Sequence, residues 1–276
     1  MEISEQLRKI CTTSLIFVLC ISYLVCHCNR AKETTDYRIV SLSPAMTEIL
    51  FALGSGNNIV GVTTFCDYPE EAKKIYKIGD FSNPSVERIV GLKPNLVILN
   101  LPEQMRIKKQ LERLKINIFV SSPSSLDEVY EEITEIGKIV KREHNADSLV
   151  NYMRTNIVPV ENKKKTNVYI ELSPRPIVTI GKHSFLNELL ELAGAGNVFA
   201  DLNKDYPVVS QEEIIKRNPE IIILLHPENI EQRTGWGTIA AVKNKRVYAD
   251  INQDYIMRPA PRLVKGFKEL KRIILE

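Results

Sequence analysis

Residues 80–99, DFSNPSVERIVGLKPNLVIL, align without a gap on residues 205–224, DYPVVSQEEIIKRNPEIIIL. The alignment pairs Asp80 with Asp205, Phe81 with Tyr206, Ser85 with Ser210, Glu87 with Glu212 and Pro94 with Pro219. Each copy reads as a polar loop bearing an aromatic, then a helix with a glutamate in its first turn, then an apolar strand. A second echo sets TEILFALGSGN at 47–57 on NELLELAGAGN at 187–197, with Gly54 over Gly194 and Gly56 over Gly196. The two echoes have different offsets, so insertions separate them. Their period exceeds the roughly 20 to 50 residues of a solenoid repeat. The chain is therefore an imperfect duplication, and two similar lobes imply a cleft between them.

The elements around the repeats alternate. Residues 37–42 read as a strand, and Ser43 and Pro44 as the N-cap and first residue of a helix that stops at Gly54. Strands are expected at 58–63, 95–99, 168–172, 220–225 and 246–249, and a helix at 86–92. The run at 95–99 is apolar throughout, as in a strand covered on both faces. Residues 126–142 carry Val129, Ile133, Ile136 and Val140 at helical spacing, and 146–158 continue helically to Pro159. This alternation predicts an α/β fold of two lobes, each a mostly parallel sheet flanked by helices. The expected division is an N-terminal lobe at 37–143, a connector at 144–165 and a C-terminal lobe at 166–276. The connector contains no glycine, which makes it a rigid helix rather than a flexible linker.

With 276 residues, 44% of them hydrophobic, the chain can bury one large core or two moderate ones, and two are expected. A net charge of +3 with 26% charged residues excludes an extended nucleic-acid surface, and the basic runs at 163–165 and 243–246 read as solvated turns. At the amino terminus, Arg8 and Lys9 precede an apolar run at 10–26 and then a polar stretch, the order of a secretory signal or short anchor over residues 1–28. An exported protein, periplasmic or tethered to the outer face of the cytoplasmic membrane, is expected. Cys26 and Cys28 raise a lipoprotein reading, although neither follows a good lipobox. Four of the five cysteines lie in this leader, which leaves Cys66 alone in the body, where a small buried residue is expected.

The loops hold the candidate functional residues. Ser85 and Ser210 fit as helix caps, with Glu213 closing an S-x-x-E box. Glu87 and Glu212 then occupy equivalent first turns, where a carboxylate meets the positive end of the helix dipole. Phe81 and Tyr206 fall in polar loops rather than on apolar faces, as do Phe65 and Tyr68 in TTFCDYP and Asp254, Tyr255 and Arg258 in NQDYIMRP. In open α/β sheets ligands gather at the strand ends where such loops lie. Aromatic walls with a few polar groups suit a large, flat, partly apolar ligand.

The stretches RIVSLSPAMTEILFALGSGNNIVGVTTFCDYP, IGDFSNPSVERIVGLKPNLVIL, PVVSQEEIIKRNPEIIIL and GWGTIAAVKNKRVY together resemble a helical-backbone (class III) substrate-binding protein of an ABC importer. The likeness runs from Tyr37 to the carboxyl terminus and is greatest to members that bind vitamin B12. It implies two lobes joined by a rigid helix, with the ligand clamped between them. It further implies cobalamin or a related corrinoid as cargo, stacked on Tyr68, Phe81 and Tyr206 and met by Asp254 and Arg258. Glu87 and Glu212 would dock a membrane permease. The protein itself would be a monomer with no cofactor, no metal of its own and no catalytic residue. Phe81 and Tyr206 stand where B12 binders carry tryptophan, and Pro159 shortens the connecting helix.

Haem and ferric siderophores are the rival ligands within that class. His183, His226, Tyr68, Tyr255 and Met257 are candidates for haem iron, whereas Arg175 and Arg258 are the only obvious cations for a siderophore. An exported enzyme is the rival from another class. Neither a G-x-S-x-G elbow, a phosphate loop nor an H-E-x-x-H pair occurs, and Ser173-Pro174-Arg175-Pro176 reads as a rigid turn.

Overall fold

The computed structural model of the protein describes residues 37–161, 165–228 and 230–276. The signal, anchor and lipoprotein readings of residues 1–28 lie outside these. Residues Tyr37–Glu276 form one compact unit. In the first lobe, β1 (Ile39–Ser41), β2 (Ile59–Val62), β3 (Leu96–Asn100) and β4 (Ile118–Ser121) make a parallel sheet in the order β2-β1-β3-β4. Ile39 stands opposite Ile59 on one side and Leu96 on the other. In the second lobe, β5 (Thr166–Pro174) pairs in parallel with β7 (Ala195–Asn197) and β8 (Ile221–Leu224), and β8 with β9 (Val247–Tyr248). The order β7-β5-β8-β9 repeats that of the first lobe.

β6 (Ile177–Thr179) breaks the parallel rule, because it folds back on β5 as an antiparallel hairpin. The expected Ser-Pro-Arg-Pro turn supplies its bend.

The duplicated stretches form corresponding elements, a capped helix followed by a strand. Ser85 Oγ accepts the Arg88 N–H at 3.2 Å to open α2 (Val86–Gly91), and Ser210 Oγ accepts the Glu213 N–H at 3.2 Å to open α7 (Gln211–Arg217). The Glu213 carboxylate does not turn back as a capping box would; it takes the Arg217 guanidinium at 2.8 Å. In the second echo, α1 (Pro44–Ala52) and α6 (Phe185–Leu192) each run into a glycine at positive φ, +76° at Gly54 and +89° at Gly194. Only glycine enters that region without a steric penalty.

The expected continuous helix after β4 divides in two. α4 (Leu126–Ile139) ends at Val140, Lys141 takes a left-handed φ of 55°, and α5 (Glu143–Asn156) returns against it. Asp127 near the start of α4 binds Arg154 near the end of α5 at 2.8 Å. A Cβ on Gly137 would lie 2.5 Å from that of Ala146, so the missing side chain lets the two helices touch.

Two separate cores were expected, and the burial pattern corrects this. The outer face of each sheet has its own cluster. Val40, Leu42, Val97 and Leu99 pack there with Ile107 and Leu111 of α3 (Met105–Arg113) in the first lobe. Tyr169, Ile222 and Leu224 pack with Trp236, Phe199 and Ala241 of α8 (Ala240–Lys243) in the second. The inner faces share a third and larger cluster. It joins Ile39 and Ile98 of one sheet to Val168 and Ile223 of the other through α1, α4, α6 and α10 (Leu263–Leu275). Strand alternation explains the division, since successive side chains point to opposite faces. Cys66 is fully buried, with its Sγ 3.3 Å from Thr63 Oγ1. Among the described residues no helix is long and apolar enough to cross a membrane.

Candidate functional site

The strand ends of the first lobe shape the site. β1 delivers Ser43 and Pro44, β3 delivers Asn100, and the loop after β2 carries Phe65. Together with Phe81, Ser82, Met257 and Arg258 they line a cavity of about 390 Å³. Phe65 is 57% exposed, which for a large apolar side chain marks a surface left open. The Phe81 loop is pinned by a residue that sequence reasoning missed. Gln104, fully buried, donates from Nε2 to the carbonyls of Phe81 at 2.8 Å and Leu42 at 3.2 Å, tying the loop to the end of β1.

Arg258 closes the floor of this cavity. α9 (Gln253–Met257) opens on Asn252, whose Oδ1 accepts the Asp254 N–H at 2.9 Å, and it places Asp254 and Arg258 one turn apart. Arg258 Nη1 reaches Glu48 at 3.1 Å and Asp67 at 2.8 Å, while Nη2 reaches Asp254 at 3.0 Å and the Phe65 carbonyl at 3.3 Å. Arg262 adds a second guanidinium to Glu48, with Nε at 2.8 Å. Burial disfavours charge on both arginines, but the carboxylates around them outweigh it and hold both above the ordinary arginine range. At Asp67 burial likewise opposes ionisation, yet the hydrogen bond and charge of Arg258 keep its carboxyl below the usual value.

Glu48 and Arg262 were not among the expected residues. Glu48 sits in the apolar run of α1, 3% exposed, and its partners lie 210 and 214 positions away. A charge in a helix whose buried neighbours include Ala45, Met46, Ile49 and Leu50 was the one available signal, because a buried carboxylate requires a partner.

Tyr68 and Tyr255 are not brought to the cavity of Phe65 and Phe81. The Arg262 guanidinium lies over the Tyr68 ring at 4.0 Å and nearer the edge of interaction with Tyr255 at 5.4 Å. Tyr68 lines a neighbouring cavity of about 650 Å³ with Phe51, Tyr152, Arg262 and Lys265. The Glu48 cluster separates the two cavities: Arg258 faces one and Arg262 the other.

The second lobe contributes Tyr206, 46% exposed. Its loop is strapped to the end of β6 and the residues beyond by backbone bonds, Thr179 N–H to the Pro207 carbonyl at 3.0 Å and Gly181 N–H to the Asp205 carbonyl at 2.9 Å. A Cβ at Gly181 would lie 2.1 Å from the Lys204 carbonyl oxygen, so the close approach requires glycine. Desolvation of its hydroxyl end pushes the Tyr206 phenol up against the opposing pull of Ser184, and the charges of Asp205 and Glu103 add to it. Glu103 belongs to the loop after β3, so that charge reaches Tyr206 from the other lobe.

A second buried carboxylate, Glu171 on β5, is fully inaccessible. It receives Arg233 through both terminal nitrogens at 2.8 and 2.6 Å, the Tyr169 hydroxyl at 2.7 Å and His226 Nε2 at 2.7 Å. Burial and then the Glu171 charge push the Tyr169 phenol far up. The Glu228 N–H donates to His226 Nδ1 at 3.2 Å. Both nitrogens of His226 are thereby taken, which leaves it no lone pair for iron. His183 Nε2 meets Asn203 Oδ1 at 2.9 Å, and Met257 is 39% exposed on the cleft. No group of three or more His, Cys, Asp or Glu among the described residues is arranged to hold a metal ion.

Glu87 and Glu212 project from the first turns of α2 and α7, both exposed. The Glu212 carboxyl sits below its ordinary value because its own backbone N–H and Ser210 stabilise the charged form.

Two α/β lobes of one topology, each with an aromatic in the loop before its capped helix, make the frame of a two-lobed binding protein. The chain belongs to the periplasmic binding protein family, whose model matches residues 39–253. Among its relatives, an uncharacterised ABC transporter substrate-binding lipoprotein of Bacillus subtilis, YvrC, is 39% identical over 86% of this chain and 79% of its own length. A possible iron-binding, periplasmic solute-binding protein of Staphylococcus epidermidis has a solved structure with a TM-score of 0.75 and 36% identity, covering 87% of this chain and 99% of that one. The periplasmic vitamin B12-binding protein BtuF of Vibrio cholerae gives a TM-score of 0.71 at 28% identity, covering 86% and 96%. The chain is thus the exported substrate-binding protein of an ABC transporter, a transport protein rather than an enzyme.

Proposed function

We propose that this protein captures cobalamin or a related corrinoid outside the cytoplasmic membrane and delivers it to an ABC permease. The observation that carries the reading is the pair of aromatics on the first-lobe cavity, exposed Phe65 and part-buried Phe81, with half-exposed Tyr206 on the other lobe. A flat macrocycle stacks on such rings, and each good aromatic contact contributes about 0.5–1.5 kcal/mol beyond its buried area. Likeness to a B12-binding protein at 28% identity supports the same ligand. Lobes at 37–143 and 166–276, joined by 144–165, would hold it between them. Asp254 and Arg258 act through the Glu48 cluster that sets the cleft floor, and Tyr68 and Tyr255 brace that cluster from its far side.

Calorimetric titration with cyanocobalamin, with hemin and a ferric siderophore in parallel, tests the ligand. One-to-one cobalamin binding that weakens roughly tenfold in Phe81→Ala and in Tyr206→Ala is the expected result, tenfold being about 1.4 kcal/mol. A shifted Soret band with hemin and no cobalamin heat would replace the corrinoid by haem and direct attention to Met257, His183 and Tyr68.

Docking is proposed to use Glu87 and Glu212, one exposed carboxylate from each lobe in equivalent positions. Ion pairs at an interface rim set orientation and association rate more than affinity. Glu87→Ala combined with Glu212→Ala should leave ligand affinity unchanged while association with permease-containing vesicles falls. Equal loss of both would assign these glutamates to the fold.

A further inference from the structure

The cleft floor ends in an arginine that has little charge left to offer an anion. Both terminal nitrogens of Arg258 are occupied by Glu48, Asp67, Asp254 and the Phe65 carbonyl, and its side chain is only 12% exposed. Arg262 is likewise engaged by Glu48 at 2.8 Å and approached by Asp254 at 3.6 Å. Three carboxylates thus share two guanidiniums, and Arg258 has both terminal nitrogens taken by them and the Phe65 carbonyl.

The surrounding lysines offer no free cation at the cavity either. Lys77 donates to the carbonyls of Cys66 at 2.9 Å and Ala72 at 3.0 Å, and its charge acts on Asp67. Lys265 lies over the Tyr255 ring at 5.5 Å and lines the larger cavity beyond the cluster. On the second lobe Arg175 pairs with Glu228 at 3.2 Å, and Lys182 shares its cavity with Glu188 and Glu191. Apart from Arg258, the polar side chains on the 390 Å³ cavity are uncharged: Ser43, Ser82 and Asn100. A carboxylate entering there would have to displace Asp67 or Asp254 from Arg258, or remain unpaired beside them. Like charges at such range discriminate strongly between partners.

We infer that Glu48, Asp67 and Asp254 set the charge class of the ligand: by occupying Arg258 they make the cleft select uncharged, amide-bearing or cationic ligands over carboxylate counterparts of the same shape. Glu48 is a positioning residue here, because it acts through both arginines and touches no ligand. Asp67, with a side chain 47% exposed, is the member that can be altered with least disturbance. The inference rests on the reading of this cleft as the ligand site, but not on the ligand being a corrinoid.

The test uses two pairs of ligands that differ only in charge. Cyanocobalamin is set against its monocarboxylic acids, in which one peripheral amide is hydrolysed. Hemin dimethyl ester is set against hemin. For whichever pair binds, the wild type should prefer the neutral member by roughly tenfold or more, a preference that shrinks in high salt. Asp67→Asn and Glu48→Gln should each narrow the ratio about tenfold by raising affinity for the acid. A purely structural role would lower both affinities together and leave the ratio alone. Equal binding of acid and neutral forms by the wild type overturns the inference, as does a ratio that neither variant moves. Binding of the haem pair alone would end the corrinoid reading and still measure charge selection; silence from all four ligands would overturn both readings.

Discussion

Glu48 and Glu171 are the same device used for different ends. Each is a buried glutamate clasped by arginine, 3% and 0% exposed respectively. The partners of Glu171 lie 55 and 62 positions away and stay within the second lobe, where Arg233 also covers the Trp236 ring at 4.5 Å. Those of Glu48 lie 210 and 214 positions away, so its bonds fasten the first lobe to the segment that ends the chain. One ion cluster organises the interior of a lobe; the other holds a wall of the cleft and fixes its charge. A buried carboxylate therefore acquires its role from the element its partner belongs to, since the local chemistry of the two is alike.

The largest effect that can break this comparison is expected at Glu171. Glu171→Ala leaves the Arg233 guanidinium, 9% exposed, with only Glu228 at 3.6 Å, and takes the partner from the buried Tyr169 hydroxyl and from His226 as well. Removing one member of a buried pair costs about 3–5 kcal/mol. Glu48→Ala should cost less, about 2–3 kcal/mol, because Asp67 and Asp254 still neutralise the arginines. Thermal unfolding of the two variants measures the difference, and a larger loss at Glu48 would contradict the division of roles.

A smaller effect is expected where backbone meets backbone. Gly181→Ala sets a methyl 2.1 Å from the Lys204 carbonyl oxygen and should cost roughly 1–3 kcal/mol while displacing the Tyr206 loop. In the first lobe, a Cβ at Gly91 meets nothing within 4 Å, so Gly91→Ala should gain up to about 1 kcal/mol from helix propensity. Denaturant midpoints of the two alanine variants check the opposite signs.

The smallest effect concerns pH. Asp67 in the first lobe and Asp201 in the second each have a carboxyl held below its ordinary value; burial opposes the shift at Asp67 and is outweighed by Arg258, while at Asp201 the Arg217 hydrogen bond leads. An acid whose folded value is depressed contributes stability that is present above its unfolded value and is lost as pH falls through the folded one. Melting temperatures should therefore decline below about pH 4. Asp201→Asn should flatten part of that decline without changing ligand binding, whereas Asp67→Asn should alter both.

Much of the fold was legible because the duplication repeats local signals. Ser85 and Ser210 cap the helices they were expected to cap, and the glycines after α1 and α6 stop them where positive φ is required. The break between α4 and α5 was missed because the apolar spacing continues through Val140, and only Lys141, in a left-handed conformation with no glycine to announce it, turns the chain. The candidate site was legible by halves. Phe65, Phe81 and Arg258 meet on one cavity, but Tyr68 and Tyr255 turn to Arg262, a residue with no motif of its own. Ion pairs closed across more than 200 residues leave no periodic or neighbouring trace, so Glu48 showed only as a charge in an apolar run and its partner Arg262 could be recognised only in three dimensions.

The core shared by both inner sheet faces bears on ancestry and modularity. A freshly doubled gene yields two modules, either of which can be lost, moved or replaced. Here the apolar faces of Ile98 and Ile223 are roofed by the same helices, so each half finishes the other's interior. Severed between Asn156 and Thr166, neither piece should fold alone, and mixing the two should restore structure only as a complex. The doubling has become a one-way step: what began as two copies now persists as a single heritable unit.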